Sequence, residues 1–588
     1  MPTPFKIIAD IYEKLEKVSG RIEMRSLLTA LFSKIPEDDI YEAVHLTLGQ
    51  LGPDFMGLEF GVAEKLTLRA ISLATGIDER TLMSKLIESG DIGKVAEWAL
   101  SKKKQMALFV EELTVDNVYK NFKKMTELSG QGAMELRVKL LAELFQKASP
   151  KEGKYIARIA TGTMRLGVAE ATVLEAIAAS IGALHKKDLI EKKYNIYPDL
   201  GEIARILKRE GVAGVEKIRI TLGVPVRPML GERAKDPREI IERHGVSLVE
   251  YKYDGLRMQI HIKKDGFIRI FSRSLEDLTS QFPDVVKFVR ESFRGEEAIV
   301  EGETVAIDPD TLEFRPFQEV AHRRGRKYDI QEAIEKYPVA TYLFDCIYAN
   351  GEDLTDKKLL DRRKVLESLF DWNASDRIFI SEAKLIDNVK DLEEFFLKAI
   401  EDGCEGVMAK DPESPYKAGV REWLWIKYKR DYKSELTDTL DLVAVGAFAG
   451  KGKRAGTYGA LLMATFNPEE NTFETVCKLG TGFDDRTLQK LPEIFRPYLR
   501  QGKHPLVKSN IEADYWFDPV VVLEVQGAEI TLSPVHTCAR DRVKPGYGLA
   551  IRFPRFTGRW RRDKKPEDAT TSDEVLEMYK KQLRKVGE

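Results

Sequence analysis

Glu250-Tyr251-Lys252-Tyr253-Asp254-Gly255 places one lysine between two carboxylates and follows it with a pair typical of a tight turn. Apolar residues at positions 246, 248 and 249 precede the stretch, and apolar residues at 258, 260 and 262 alternate after it. The pattern predicts that Lys252 lies near a strand end, beside a turn at Asp254-Gly255.

Two interpretations of Lys252 follow from these six residues. In the first, it is a surface lysine opposite Asp254 in an ordinary hairpin. In the second, it is a nucleophile, which must be held still and must lose its proton. The like charge of nearby Arg257, together with burial, favours the neutral amine. The rest of the chain decides between the two.

Six more short motifs follow in sequence order, each of them weak evidence alone. They are Phe271-Ser272-Arg273-Ser274, Val300-Glu301-Gly302-Glu303-Thr304-Val305, Tyr342-Leu343-Phe344-Asp345, Glu405-Gly406-Val407-Met408-Ala409-Lys410, Trp425-Ile426-Lys427-Tyr428-Lys429 and Arg561-Arg562-Asp563-Lys564. Together with the first stretch they resemble the ordered motifs of the covalent nucleotidyltransferases, which are DNA ligases, RNA ligases and mRNA capping enzymes. Seven motifs in the expected order, across more than half of the chain, favour the nucleophile.

The chain divides into three parts by pattern. Apolar residues recur at helical spacing up to about residue 218, and a break with two prolines and a glycine follows at 221–228. Strands and helices then mix up to about residue 430. Short strands between glycine-rich turns come next, as a small barrel requires, and a final helix is predicted over 573–584. We predict a multidomain protein with an all-α domain (1–218), an α+β domain (219–430) and a β-barrel domain (431–588).

This domain order narrows the resemblance to the ATP-dependent DNA ligases of the archaeal and replicative eukaryotic type. Three further stretches match that subfamily: Arg315-Pro316-Phe317-Gln318, Gly450-Lys451-Gly452-Lys453-Arg454-Ala455-Gly456 and Arg552-Phe553-Pro554-Arg555-Phe556. The resemblance implies a helical DNA-binding domain, an adenylation domain and a C-terminal OB-fold. Capping enzymes and most RNA ligases lack the helical domain, and NAD-dependent ligases carry a zinc finger.

Composition fits this reading. Of 588 residues, 43% are hydrophobic and 32% are charged, and the net charge is −2, so any grip on nucleic acid must come from local basic patches. Cys346, Cys404, Cys477 and Cys538 lie far apart, which argues against a zinc site or a disulfide framework and favours a reducing compartment. Neither a signal peptide nor a membrane-spanning apolar run is evident. We expect a cytoplasmic monomer.

The resemblance implies a role for each charged residue of the motifs. Lys252 is the nucleophile that takes AMP from ATP. Lys427 and Lys429 alternate along a strand and suit the α-phosphate, although a solvated pair on an edge strand is an equal alternative from the residues alone. Glu303 and Glu405 offer oxygens for the ribose hydroxyls or for Mg²⁺, for which Mn²⁺ is expected to substitute. Glu301 shares a strand face with Glu303 and is either a helper or a plain surface acid.

Other residues of the motifs are expected to contact the nucleotide. The resemblance implies that Glu250 accepts a hydrogen bond from the adenine amino group and that Phe344 stacks on the base, although the residues alone favour a core position for Phe344. Arg257, Arg273 and Arg421 are guanidinium candidates for phosphate or ribose. The sixth motif is expected to act on the leaving pyrophosphate through Arg561, Asp563 and Lys564.

Binding partners are predicted from basic and apolar clusters. The Thr161–Gly167 stretch resembles a family segment that touches the DNA backbone, and a charge run is otherwise a solvated face. The candidate contacts to nicked duplex DNA are Arg165, Arg324, Lys453 and Arg454. Gln105-Met106-Ala107-Leu108-Phe109 loosely resembles the motif that binds the sliding clamp PCNA through Gln105, Leu108 and Phe109. The alternative for that motif is an ordinary amphipathic turn.

Two competing functions remain from the sequence. The first is another covalent nucleotidyltransferase, either an RNA ligase or a capping enzyme. The second is a non-catalytic nucleic-acid-binding scaffold, whose signature is the loss of Lys252, Glu303 or Lys427. All three residues are present, so we rank the scaffold low.

Overall fold

The structure is a computed structural model that describes residues 2–102, 112–309, 311–315, 317–326, 329–429, 439–450 and 456–584, without the side chains of residues 318, 583 and 584. Contacts divide the chain into two compact units. One comprises Met1–Pro228 with Arg273–Asp277, and the other comprises Met229–Ser272 with Leu278–Glu588.

The first unit is helical, as the apolar spacing predicts. Its described α-helices are α1 (Phe5–Leu15), α2 (Arg21–Lys34), α3 (Glu37–Thr47), α4 (Glu64–Thr75), α5 (Glu79–Ser89), α6 (Ile92–Ser101), α7 (Val115–Glu127), α8 (Ala133–Lys147), α9 (Pro150–Ala160), α10 (Glu170–Ser180), α11 (Lys187–Ile196) and α12 (Leu200–Glu216). Their apolar faces form one continuous buried cluster. Helix α9 begins with a capping box between Ser149 and Glu152, which fixes the start of the helix that leads into the Thr161–Gly167 loop.

The second unit begins with a mixed α and β region. Its strands are β1 (Leu230–Arg233), β2 (Ser247–Lys252), β3 (Leu256–Lys263), β4 (Ile268–Ser272), β5 (Glu297–Ala306), β6 (Val339–Ala349), β7 (Glu352–Asp353), β8 (Ile378–Ile380), β9 (Ala383–Ile386), β10 (Gly406–Lys410) and β11 (Arg421–Lys429). Its helices are α13 (Pro237–His244), α14 (Pro283–Ser292), α15 (Phe317–Ala321), α16 (Ile330–Lys336), α17 (Leu359–Leu369) and α18 (Val389–Glu401).

These strands form two sheets. One has the order β1-β11-β10-β2-β9, and the other has the order β4-β3-β5-β6-β7 with β8 beside β6. The consecutive strands β2 and β3 therefore lie in different sheets, and the hairpin interpretation of Lys252 is wrong. Gly255 marks the crossing, because a Cβ atom there would lie 2.4 Å from the carbonyl oxygen of Thr304 on β5.

The C-terminal region is rich in β-strands that curl. Its strands are β12 (Thr439–Ala449), β13 (Tyr458–Asn467), β14 (Thr472–Leu479), β15 (Leu499–Arg500), β16 (Val507–Lys508), β17 (Tyr515–Phe517), β18 (Val522–Gln526), β19 (Glu529–Ser533), β20 (Gly548–Arg552) and β21 (Arg555–Trp560). Register shifts within the β12–β13 and β13–β14 pairings mark bulges, which increase the local twist. Two helices accompany them: α19 (Asp485–Phe495) and α20 (Ser572–Arg584). The predicted final helix is confirmed as α20, and it buries Val575, Leu576 and Tyr579 in the core of this region.

Three general features bear on function. Within the described ranges, no helix is both long enough and apolar enough to cross a membrane. All four cysteines are buried and free. The described part of the chain also contains no group of three or more histidine, cysteine, aspartate or glutamate residues arranged to hold a metal ion.

Candidate active site

Lys252 is the last residue of β2, at the point where the chain leaves one sheet for the other. In the antiparallel register it stands beside Gly406 of β10, which in turn stands beside Lys429 of β11. Cross-strand neighbours share a sheet face, so Lys252 and Lys429 lie on one face with a glycine between them. A Cβ atom at Gly406 would lie 2.3 Å from the carbonyl oxygen of Tyr428, so the position excludes a side chain.

The Glu405 carboxylate connects these two lysines. Its Oε2 accepts a hydrogen bond from Lys252 Nζ at 2.6 Å and lies 3.6 Å from Lys429 Nζ. Burial raises the pKa of Glu405, but the nearby lysine charges outweigh burial and hold it below its ordinary value. Glu405 is therefore an ionised counter-ion for Lys252 at neutral pH.

Two further carboxyl groups lie close enough for the charges of Lys252 and Glu405 to shift their pKa values. Burial and the neighbouring Glu405 raise the pKa of Asp254 to about 6. Burial raises the pKa of Glu303 to about 7, although Lys252 and Arg257 oppose the shift. The described residues offer Glu303 no hydrogen bond or ion pair, so this carboxyl is available to a ligand. The sequence pattern predicts Asp254 only as a turn residue. It does not indicate that Asp254 lies beside Lys252 and Glu405.

Lys427 lies two residues before Lys429 on the same strand and the same face. Its register partners are Met408 on β10 and Arg233 on β1, and Met408 is paired in turn with Glu250 on β2. The alternation in the fifth motif therefore directs both lysines to the face that carries Lys252. Strand β11 is not an edge strand, because β1 covers its other side.

Arg257 is held by a second acidic group. Its guanidinium donates to the Met229 carbonyl oxygen at 2.8 Å and to Glu301 Oε2 at 2.7 Å. Tyr416 donates its hydroxyl to the same Glu301 oxygen at 2.8 Å. Glu301 is 1% exposed, which excludes the interpretation of a plain surface acid and makes it the counter-ion that fixes Arg257.

Glu250 is buried and carries a cation on each carboxylate oxygen. Arg363 of α17 donates to Oε1 at 2.9 Å, and Lys410 Nζ lies 2.5 Å from Oε2. Lys410 Nζ also lies 4.3 Å from the ring centroid of Phe344 and 4.2 Å from that of Trp425. Sequence reasoning missed both cations as site residues. Lys410 ends the fourth motif and could have been found, whereas nothing in the sequence signals Arg363.

Arg421 is a predicted guanidinium group that the fold does not bring to this cluster. Arg421 is exposed at the opposite end of β11. Because a strand rises about 3.3 Å per residue, Arg421 lies about 20 Å from Lys427. Arg273 begins the segment Arg273–Asp277, which belongs by its contacts to the helical unit.

The predicted DNA contacts are placed only in part. Arg165 is exposed in the loop after α9, has a left-handed backbone (φ 57°) and donates to the Gly90 carbonyl oxygen at 2.6 Å. Arg324 is exposed, whereas its neighbour Arg323 is buried and donates to Asp284 at 2.8 Å. The other two predicted DNA contacts, Lys453 and Arg454, lie outside the described residues, as do the three residues of the predicted clamp motif, Gln105, Leu108 and Phe109.

The sixth motif forms an ion-pair network on the C-terminal region itself. Arg561 donates to both oxygens of Asp441, at 2.9 and 2.7 Å, and to both oxygens of Asp563, at 3.0 and 2.8 Å. Lys564 Nζ lies 2.8 Å from Asp441 Oδ2. The three predicted residues are thus brought together: Arg561 and Lys564 share Asp441, and Asp563 pairs with Arg561.

The C-terminal region also contacts α18. Ser533 at the end of β19 donates to Glu401 Oε1 at 3.0 Å, and Lys544 Nζ lies 3.1 Å from Glu393. Burial raises the pKa of Glu401 to about 7 and lowers the pKa of His536, 3.8 Å away, to about 3. The histidine is therefore neutral at pH 7, and its contact with Glu401 is not an ion pair.

Comparison with known proteins identifies a family with this order of regions. Three family descriptions match the chain in order: "DNA ligase N terminus" over residues 4–178, "ATP dependent DNA ligase domain" over 228–429 and "ATP dependent DNA ligase C terminal region" over 454–564. A protein named DNA ligase 2 from Korarchaeum cryptofilum is 51% identical over 581 residues, which cover 98% of this chain and 97% of that protein.

Other relatives agree over similar lengths. DNA ligase 2 from Thermofilum pendens is 52% identical and covers 99% of this chain and 98% of its own length. A DNA ligase from Staphylothermus marinus is 49% identical over the whole of both chains. These full-length matches do not favour an RNA ligase or a capping enzyme. The chain therefore belongs to the ATP-dependent DNA ligases of the archaeal type.

Proposed function

We propose that Lys252 is the nucleophile of this ATP-dependent DNA ligase. The observation that carries the proposal is its fixed position at a strand end, 2.6 Å from Glu405 and on the same face as Lys429. In the first step the Lys252 ammonium gives up a proton, and the neutral amine attacks the α-phosphorus of ATP. An N–P bond forms, the bond to pyrophosphate breaks, and the nitrogen releases its second proton. Lys427 and Lys429 neutralise charge on the α-phosphate as it develops.

The two later steps use the same site on nicked duplex DNA. The 5′-phosphate at the nick attacks the adenylate on Lys252 and takes AMP, which frees the lysine. The 3′-hydroxyl then attacks that 5′-phosphate, a phosphodiester bond forms, and AMP leaves. Each step is a displacement at phosphorus, so the protein acts by positioning the reactants and neutralising their charge.

Glu303 is the residue that we propose to hold Mg²⁺ or the ribose hydroxyls. Its carboxyl has no hydrogen-bond partner among the described residues, and burial raises its pKa to about 7 despite the charges of Lys252 and Arg257. A bound cation would stabilise the ionised form, so this carboxyl fits a cation ligand. Mg²⁺ takes few protein ligands and keeps several waters, so one free carboxylate with Glu405 nearby suffices. Bound there, the ion supplies charge neutralisation at the phosphates, and Mn²⁺ is expected to substitute.

The nucleotide is recognised at Glu250 and Phe344. The carboxylate of Glu250 accepts from the adenine amino group, and Phe344 stacks on the base. Arg257, fixed by Glu301 at 2.7 Å, contacts the ribose or a phosphate. Arg273 and Arg421 remain predictions for the same role, and Arg421 is the weaker of the two because it lies about 20 Å along β11 from Lys427.

We propose three domains with separate tasks. They are a helical DNA-binding domain (1–218), an adenylation domain (219–430) and an OB-fold (431–588), the last supported by the curled strands and bulges of the C-terminal region. Arg165, Arg324, Lys453 and Arg454 contact DNA phosphates, since sealing must be independent of base sequence. Binding of PCNA through Gln105, Leu108 and Phe109 remains a prediction.

Deletion of residues 1–218 should weaken nick binding far more than self-adenylation. The helical unit carries the exposed Arg165 loop and none of the residues clustered around Lys252. Gel-shift titration on nicked duplex and labelling with radioactive ATP measure the two activities. Full-length Arg165→Ala is the matched variant, and it should reduce the salt dependence of binding by about one counterion. Equal loss of both activities on deletion would show that the domain supports the catalytic region instead.

Arg561→Ala should slow self-adenylation and spare the sealing of pre-adenylated nicks. Arg561 contacts Asp441 and Asp563 on its own domain, so action on pyrophosphate requires the C-terminal domain to swing about a hinge, predicted at 430–438 and outside the described residues. A point variant is preferable to truncation before Arg559, which would remove the core helix α20. Both reactions are timed on one preparation. If the Arg561→Ala variant transfers AMP to Lys252 at the normal rate, the proposal that the C-terminal domain swings between two positions is refuted.

The contact between α18 and the C-terminal domain should weaken as pH rises. Glu401 has a raised pKa of about 7, so its stabilising contribution is complete below its ordinary value near 4.5 and is lost as pH rises through 7. Glu401→Gln should therefore become more stable relative to wild type between pH 5 and pH 8, by about 2 kcal/mol. Thermal melting measures the trend, and exposed Glu352→Gln should show none. If the difference in stability between Glu401→Gln and wild type did not change with pH, this prediction would be wrong.

One assay tests the proposed function as a whole. A gel-resolved nicked duplex is incubated with each nucleotide and each metal in turn, and sealing with ATP and Mg²⁺ is expected. Nicked RNA in place of DNA tests the RNA ligase alternative, and transfer of the label to a diphosphate RNA end tests the capping alternative. Discharge of labelled protein by RNA but not by DNA would overturn the substrate assignment.

A further inference from the structure

The carboxylate of Glu250 is fixed at both oxygens by cations from distant parts of the chain. Arg363 donates to Oε1 at 2.9 Å, and its second nitrogen donates to the Ser381 carbonyl oxygen at 2.7 Å. Lys410 Nζ lies 2.5 Å from Oε2, and the Glu250 side chain is only 3% exposed. A carboxylate held in this way cannot rotate and presents only acceptor lone pairs.

Helix α17, which carries Arg363, is anchored by the neighbouring residue Arg362. Arg362 donates to Asp345 of β6 at 2.8 and 3.0 Å, and neither side chain is exposed. This buried pair fixes α17 against the strand that also carries Phe344. The ring of Phe344 and the carboxylate of Glu250 are therefore positioned through the same helix and the same strand.

Lys410 completes the arrangement from a third direction. It is 2% exposed, and it packs over Phe344 at 4.3 Å while it pairs with Glu250. Burial lowers the pKa of Lys410, and the charge of Glu250 opposes the shift. The ring and the carboxylate thus share one buried cation, so neither can move alone.

We propose that Arg363 is a positioning residue that sets the preference for 6-aminopurine over 6-oxopurine nucleotides. The inference rests on the proposed roles of Glu250 and Phe344. A fixed, ionised carboxylate accepts a hydrogen bond from a 6-amino group. A 6-oxo group places a second acceptor opposite the same carboxylate, so no hydrogen bond forms between them. Without Arg363, Glu250 turns towards Lys410, and the 6-position is no longer read.

The test is single-turnover self-adenylation of the full chain with ATP, inosine triphosphate and purine riboside triphosphate, whose 6-substituents are amino, oxo and hydrogen. In wild type, loss of the amino group should lower kcat/KM by about 10- to 100-fold, as for hydrogen bonds to a charged group. Arg363→Met should reduce that ratio to a few-fold, chiefly by slowing ATP. Arg363→Lys should restore part of it.

Lys364→Met is the matched control on the same helix, because Lys364 is 75% exposed and pairs only with Asp361 among the described residues. It should leave the ratio between nucleotides unchanged. If Arg363→Met does not fold, Arg363→Gln repeats the test with a donor retained for the Ser381 carbonyl oxygen. A folded Arg363 variant that keeps the wild-type ratio would make Arg363 merely structural and overturn the inference.

The outcomes separate this inference from the proposal beneath it. If wild type acquires no label from ATP, the role of Lys252 as nucleophile fails. If wild type is labelled equally well by ATP and purine riboside triphosphate, Lys252 stands as nucleophile, but Glu250 does not read the amino group and the inference is overturned.

Discussion

Lys252→Ala should abolish self-adenylation, since alanine offers no nitrogen to attack the α-phosphorus. The variant should seal no nick from free ATP. It should retain activity on pre-adenylated nicked DNA, because that step needs the phosphate contacts and not the nucleophile. Radioactive AMP that remains on denatured protein measures the first reaction, and gel-resolved sealing measures the second.

Loss of charge is separated from loss of the nucleophile by Lys252→Arg. Arginine keeps a cation opposite Glu405, whose Oε2 lies 2.6 Å from Lys252 Nζ, but its guanidinium stays protonated and is not nucleophilic. Both variants should fail to take up label, and the arginine variant should keep more of the wild-type melting temperature. Label at the wild-type level in either variant would remove Lys252 from the mechanism.

Lys427→Ala should slow self-adenylation by about 10²- to 10³-fold, or about 3–4 kcal/mol, by analogy with the loss of one donor to a developing oxyanion. The lysine lies on the same face as Lys252, two strands away, across Met408 and Glu250. In the proposed mechanism its charge therefore acts where negative charge grows during attack. Single-turnover labelling at saturating ATP measures the change, and it should appear in the rate of chemistry more than in the affinity for ATP.

The matched control is Lys384→Ala on β9, the outer strand of the same sheet, where the side chain is 57% exposed. This variant should label at the wild-type rate. Should Lys427→Ala lower the melting temperature while activity per folded molecule stays unchanged, Lys427 would be a structural residue.

Much of the site could be predicted because each motif is local. The end of β2 at Lys252, the alternation of Lys427 and Lys429, and the final helix all follow from neighbouring residues. Sequence patterns also separate a helical region from a mixed region and a strand-rich one, because apolar spacing differs between helices and strands.

The remainder depends on contacts between distant segments. Arg363 meets Glu250 across 113 residues, and Tyr416 meets Glu301 across 115 residues. Arg323 and Arg324 are adjacent in one basic run, yet the first is buried beside Asp284 and the second is exposed. The turn at Gly255 could belong to a hairpin or to a crossing between sheets. Only the packing against Thr304 decides between them.

The counter-ion role of Glu405 has a consequence for how the enzyme responds to ionic strength. Glu405 neutralises Lys252 and also lies 3.6 Å from Lys429. In the proposed mechanism the phosphate of ATP therefore replaces the Glu405 carboxylate as the anion beside these lysines, and it does not bind to uncompensated positive charge. Few bulk ions are then displaced, and ATP affinity should change little with salt. Nick binding through the exposed arginines that we propose would displace many ions. Raising the salt concentration should therefore release DNA from an enzyme that still charges itself with AMP.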